Sequence, residues 1–294
     1  MGTYITIKAP EKNINEINNA FEILSDVDKT FSTFKENSEA SILNKKNKIS
    51  ASDNFIELLN QSKKANIISN GAFDITIGKM TKDLYKFGYQ DQKMPKEKDI
   101  SDSIHLIGID KISIINNEVS IPKGVKLDFG GIAKGYGVQK AAHLFKKMDV
   151  RDGVIAASGD IFCTNKCEIG ITNPFDPDTL IATFQTSKKY SSISTSGNYQ
   201  RYIKTKKNNH LLDPKTAKPQ QNIAGVTLIS TDANTLLDAL ATAVTVMQKN
   251  DAIEMLNRQK NIAYFIIYND KKTIISDNFS LYTTDLRLNK ISAK

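Results

Sequence analysis

Apolar residues recur at helical spacing at Ile14, Ile17, Phe21, Leu24 and Phe31, which predicts an amphipathic helix over 13–31. Ahead of it, residues 4–7 are a short run of β-formers and read as a strand. The polar stretch 36–49 reads as a loop. A second helix is expected to open at Ser52 or Asp53 as N-cap and to run to Ser69, where Asn70-Gly71 stops it. Residues 72–78 lead into a third, short helix ending near Gly88, and the charged stretch 90–103 reads as a surface loop. Period-two and continuous apolar runs then predict a hairpin over 112–121, a strand over 125–129, and strands over 154–157, 168–171, 181–185, 199–203 and 226–229. A helix should open at Gly130-Gly131 and run to 148. Another is expected from a Thr231 or Asp232 cap to Met247, followed by a shorter one over 251–259 and strands over 263–268 and 273–275. Helices and strands mixed without regular βαβ alternation predict an α+β fold, as one domain spanning 1–294.

Composition removes several function classes. Of 294 residues, 40% are hydrophobic and 24% charged, which is ordinary for a globular chain. The net charge of +8 invites an anionic partner, but only four of the cations are arginines, and no basic run is interleaved with aromatics. That argues for a solvated lysine surface and against a nucleic-acid reader. Two cysteines, Cys163 and Cys167, are too few for a disulfide scaffold and lack the neighbours of a zinc site; they read as local cysteines in or beside a strand. No stretch approaches the roughly 18 apolar residues of a membrane span.

Four constellations could carry chemistry. The first is the block Asp128-Phe129-Gly130-Gly131-Ile132-Ala133-Lys134-Gly135-Tyr136-Gly137, where a strand ends, glycines free the backbone and a helix begins. Unpaired N–H groups there suit an anion, and Lys134 lies within reach of it; a tight turn with a surface lysine is the alternative. The block is neither a P-loop nor a dinucleotide fingerprint. In the second, Asp238 and Thr242 lie four apart in an otherwise apolar helix. A carboxylate there is costly without a partner, which is either a hard cation such as Mg²⁺ or a lysine. Third, His210 enters a loop beside Asp213-Pro214, a place for an acid–base group. Last, Ser194 to Tyr199 is rich in small hydroxyl residues and reads as a turn or a polar pocket wall.

In their order, these residues resemble the ApbE family of FAD:protein FMN transferases. The resemblance rests on Met1-Gly2-Thr3, Phe31-Ser32-Thr33-Phe34 with Ser38-Glu39, Gly71-Ala72-Phe73-Asp74, the 128–136 block, Ser158-Gly159-Asp160, Thr195 to Tyr199, His210 to Pro214, and Asp238 with Thr242. It covers nearly the whole chain and implies a T-fold-like domain of mixed helices and mainly antiparallel strands. It further implies an enzyme that binds FAD and Mg²⁺, cleaves the pyrophosphate, releases AMP and joins FMN by a phosphoester to a threonine of an acceptor protein. The implied FAD contacts are Met1, Phe34, Ala72, Phe73, Asp74, Asp128, Lys134 and Leu212. Asp238, Thr242 and the backbone oxygen of Gly131 should hold the metal, and His210 should be the base. Three positions depart from the family: Phe34 where Tyr is common, Asn198 where Asp is frequent, and Ser158 where Gly is frequent. Rival readings are a Mg²⁺-dependent FAD pyrophosphatase yielding FMN and AMP, and a flavin-binding protein without turnover. The resemblance also implies work on the periplasmic side of a bacterial inner membrane, with an anchor expected ahead of the present start.

Overall fold

Helix α1 (Ile14–Phe31) forms where its spacing places it, burying Ala20, Leu24, Val27 and Phe31 along one stripe. The computed structural model describes residues 2–231 and 234–289. In chain order the further helices are α2 (Glu39–Lys46), α3 (Asp53–Ile68), α4 (Glu97–Ser103), α5 (Ala133–Lys147), α6 (Asn234–Val246) and α7 (Lys249–Asn257). The Ser52 side chain caps α3 by accepting from Phe55 N, as expected.

Where a loop was expected over 36–49, α2 appears. Only Ala40 and Leu43 of it are buried, too few to show a period, and its ends are set by local chemistry instead. The Ser38 hydroxyl accepts from Ser41 N at 3.0 Å, and Asn47 closes the C-terminus in the left-handed region at φ 63°. Likewise α4 occupies part of the expected loop 90–103, burying Ile100. The third expected helix is a π-helical turn, Lys79–Leu84.

The strands are β1 (Ile5–Lys8), β2 (Lys48–Ser50), β3 (Ser113–Ile115), β4 (Glu118–Ser120), β5 (Val154–Ala157), β6 (Asp160–Cys163), β7 (Glu168–Thr172), β8 (Leu180–Thr186), β9 (Ser191–Gly197), β10 (Leu212–Asp213), β11 (Lys218–Pro219), β12 (Ile223–Ser230), β13 (Ala263–Tyr268), β14 (Thr273–Ile275) and β15 (Thr283–Leu288). A seven-stranded antiparallel sheet runs β1-β5-β6-β9-β12-β13-β14, and a three-stranded sheet runs β15-β8-β7. Strand β13 shows why its sequence is apolar throughout. Tyr264, Ile266 and Tyr268 pack with α6 and α7 on one face, while Phe265 and Ile267 pack on the three-stranded sheet on the other. Both faces are covered, so period two disappears from the sequence.

Two expected strands are absent. Residues 125–129 are extended but pair only through an isolated parallel bridge, Ile77 with Lys126. Residues 199–203 are turns and bends, and the strand lies earlier, in β9, whose hydroxyl-rich sequence had read as a turn. Ser192 and Ser194 are buried because their hydroxyls are bonded, Ser192 donating to Asn234 on α6 and Ser194 to Asp160 on β6, not because they are apolar. Cys163 and Cys167, read above as local cysteines in or beside a strand, lie at the end of β6 and just ahead of β7 and form a disulfide with one another. The Asp232 cap and Met1 lie outside the described residues.

Candidate functional site

A cleft of about 810 Å³ opens where the start of α5, the face of α6 that carries Asp238 and Thr242, the turn ahead of β6, the end of β9 and the loops after α1 and α3 converge. Every site residue expected above that the structure describes lines it: Phe34, Ala72, Phe73, Asp74, Asp128, Gly131, Lys134, His210, Leu212, Asp238 and Thr242. Its size is that of a pocket for a cofactor-sized ligand.

One wall of the cleft forms where α5 meets α6. The helices approach so closely at Gly135 that a Cβ there would lie 2.4 Å from the Asn234 carbonyl oxygen and 2.6 Å from Asp238 Cβ, so only glycine fits. That contact lets the Gly135 N–H donate to Asp238 Oδ2 at 2.9 Å. Gly135 sits in the first turn of α5, where an N–H has no intrahelical acceptor, and the Gly131 carbonyl, just ahead of the helix, accepts no hydrogen bond among the described residues. The Thr242 hydroxyl makes none either, and a Cβ on Gly131 would sit 2.8 Å from it. One carboxylate, one carbonyl and one hydroxyl oxygen therefore gather with unused acceptor capacity, a donor set that suits a hard cation. Among the described residues no group of three or more His, Cys, Asp or Glu could hold a metal; this set has a single carboxylate.

Lys134 and Asp160 complete that wall. The Lys134 Nζ lies 3.0 Å from Asp160 Oδ2 and 3.4 Å from both Asp238 oxygens. Asp160, at the start of β6 and 1% exposed, accepts from Ser194 Oγ at 2.6 Å across the β6–β9 pairing. One ammonium thus serves two buried carboxylates. Burial, then the charge of Asp160, pushes the Asp238 carboxyl up to about 7 against the pull of Lys134 and the Gly135 N–H. Burial disfavours the Lys134 charge, but the two carboxylates overcome it and hold the ammonium above its ordinary range. Of the two partners expected for Asp238, the lysine is present as Lys134, and the oxygen donors beside it are those a cation would need.

The glycine turn is met by the chain's own Asp128 carboxylate. Gly130 N donates to Asp128 Oδ1 at 3.0 Å, and Asp128 Oδ2 also accepts from Thr81 Oγ1 at 2.6 Å and faces Lys82 Nζ at 3.3 Å. Burial opposes its charge, yet Lys82 and those donors hold the Asp128 carboxyl below its usual range. Lys82 also lies 4.4 Å over the half-exposed Phe34 ring, which leans on Tyr89. Lys82, Tyr89, Asp160 and Arg201 carried no role in the sequence reading. Asp160 at least stood in a quoted motif, whereas nothing distinguished Lys82 among so many lysines.

Asp74 lies on a different wall and is fully used. Its Oδ1 accepts from Thr76 N and Oγ1 at 2.8 and 2.6 Å, and its Oδ2 from Ile109 N and Asn66 Nδ2 at 3.0 and 3.3 Å. Its carboxyl is still raised, because desolvation outweighs those bonds. On the rim, His210 N and Nδ1 both donate to the Arg201 carbonyl at 3.1 Å. A carbonyl can only accept, so the proton sits on Nδ1 and the Nε2 lone pair is left free. Desolvation, with the nearby Arg201 and Lys134 charges, pulls the imidazole down to about 4, and Phe87 packs edge-on against the ring.

The sequence model of the ApbE family matches residues 1–266. The FAD:protein FMN transferase of Haemophilus influenzae is 27% identical over 269 residues, covering 84% of this chain and 77% of that protein. The protein of the same name from Buchnera aphidicola is 32% identical over 253 residues, covering 79% and 74%. The fold is that of the ApbE protein of Thermotoga maritima, with a TM-score of 0.85 at 22% identity over 97% of each chain. It is also that of the flavin transferase ApbE of Vibrio cholerae, with a TM-score of 0.80 at 22% identity over 96% of each.

Proposed function

The chain belongs to the ApbE family, and from that premise we propose that it is a Mg²⁺-dependent FAD:protein FMN transferase that attaches FMN to a threonine of an acceptor protein and releases AMP. The observation that carries the reading is the gathering of free oxygen acceptors at Asp238, Thr242 and Gly131 in the same cleft as a neutral, Nδ1-anchored His210.

Mg²⁺ would be held by the Asp238 carboxylate, the Thr242 hydroxyl and the Gly131 carbonyl, and when bound it supplies positive charge opposite the pyrophosphate. The remaining work falls to side chains. His210 Nε2 accepts the proton of the acceptor threonine as its oxygen forms a bond to the FMN phosphorus. The phosphorus–oxygen bond to AMP breaks on the opposite side, and AMP carries that oxygen away. Phe34, Ala72, Phe73 and Leu212 offer apolar surface to FAD, while Asp128 orders the glycine turn and Lys82 beside it. Lys134 offsets part of the negative charge of Asp160 and Asp238 on that wall.

The disulfide between Cys163 and Cys167 supports work on the oxidising, periplasmic side of a bacterial inner membrane. The test of function is incubation with FAD and Mg²⁺, with and without a threonine-bearing acceptor, following AMP release and protein-bound flavin. Flavin on the acceptor with stoichiometric AMP is expected. AMP and FMN without bound flavin would make the protein a pyrophosphatase, and bound FAD without AMP would make it a carrier.

A further inference from the structure

Three cations line the cleft among the described residues: Lys82, Lys134 and Arg201. Two are already committed. Lys82 pairs with Asp128, and Lys134 is shared between Asp160 and Asp238. Arg201 has no carboxylate partner among the described residues, and its guanidinium makes one long contact, 3.5 Å to the Gly2 carbonyl. Its backbone is nonetheless well fixed. The Arg201 carbonyl takes both hydrogen bonds from His210, and the adjacent Tyr202 bridges to Asn209, closing the loop between them. An uncommitted guanidinium therefore rises from the same rim point that orients the base.

We propose that Arg201 binds phosphoryl oxygens of the incoming substrate, presenting its planar fork to the pyrophosphate beside His210. The inference rests on the function proposed above and adds the residue that selects a phosphorylated flavin over a bare one. Arginine suits this task because its fork meets two oxygens at once, which a lysine point charge cannot do. The cost of holding the cation is low, because Arg201 is exposed and no ion pair among the described residues must be broken first.

The test is calorimetric titration of the full chain at low salt with EDTA present. The probes are FAD, inorganic pyrophosphate and the two phosphate-free parts, riboflavin and adenosine. Arg201→Ala is expected to weaken FAD and pyrophosphate about 10- to 100-fold, the range for a charge-assisted hydrogen bond, and to leave riboflavin and adenosine unchanged. Arg201→Lys should recover part of the loss, and melting curves of both variants should match that of the parent. Equal weakening of every probe would mean that Arg201 acts only by supporting the His210 loop, and unchanged FAD and pyrophosphate affinity would leave it a rim residue. Either result overturns the proposal, as does a parent protein that binds neither FAD nor pyrophosphate. Binding of pyrophosphate through Arg201 without binding of FAD would refute the flavin reading while leaving the anion site in place.

Discussion

The wall around Asp74 and the wall around Asp238 line a single cleft, and each buries an aspartate. Asp74 accepts four hydrogen bonds from neutral donors, two from Thr76 in its own segment, one from Asn66 on α3 and one from Ile109. Asp238 accepts one backbone N–H and shares a distant ammonium with a second carboxylate. Both carboxyls are raised by desolvation, so burial alone does not separate them. What separates them is residual capacity. Asp74 has used its lone pairs to hold a loop, whereas Asp238 keeps acceptor capacity facing a cavity, next to a free carbonyl and a free hydroxyl. A shifted pKa marks both places, but only an unspent acceptor set marks a site.

The largest expected effect tests the Asp238 wall. Asp238→Ala should lower Mg²⁺-dependent turnover by roughly 10³-fold, the scale of several kcal/mol of lost charge stabilisation, while FAD binding partly survives. Retained turnover in Mg²⁺ would show that this wall, like the other, is structural. The same wall predicts a pH dependence. The ionised carboxylate is the form needed, so with Asp238 raised to about 7, activity of the free enzyme should fall as pH drops through neutrality. Rising Mg²⁺ should move that limb to lower pH, because cation and proton compete for one carboxylate. A limb that ignores Mg²⁺ concentration would assign it to another group.

His210→Ala should slow transfer to threonine by about 10²-fold, the usual scale for a general base, with FAD affinity little changed. His210 itself titrates near 4, so it is neutral above that pH and should add no acid limb between pH 5 and 7.

On the Asp74 wall the expected loss is in stability. Asp74→Ala strands the Thr76 and Ile109 N–H groups and the Thr76 hydroxyl, at a cost of about 2–4 kcal/mol by denaturant titration. A cost no larger than that of Asp238→Ala would erase the distinction between the walls. The smallest effect belongs to a feature off both walls. Reducing the Cys163–Cys167 bond closes no large loop, so it should cost only about 1–2 kcal/mol and leave turnover intact. A drop in turnover on reduction would tie β6, and with it Asp160, to the disulfide.

Much of the cleft was legible from motif order. Phe34, Asp74, Asp128, Lys134, His210, Asp238 and Thr242 stand far apart in sequence yet line one cavity. Spacing alone placed Asp238 and Thr242 on one face of a helix, because a period of 3.6 is a local property of the backbone. Amphipathic helices such as α1, and capping residues such as Ser52, were readable for the same reason. The hydroxyl-rich β9 and the sparse α2 were not, since their burial comes from partners across the sheet and from end caps rather than from apolar pattern.

What no local pattern could assign was which donors are spent. Asp74 and Asp238 are alike as letters, and so are Lys82 and the exposed lysines of a chain with 40 Lys and Arg residues. Whether a carboxylate ties a loop or faces a cavity depends on partners 35 residues away in one case, Ile109, and 103 in the other, Gly135. The same holds for Arg201, which among the described residues lacks the ion pair that Lys82 and Lys134 have. Periodicity and motif order act along the chain and can be read there. Hydrogen-bond capacity and ion pairing are settled through space, between segments that meet only when α5 packs on α6 and the sheet brings β6 beside β9.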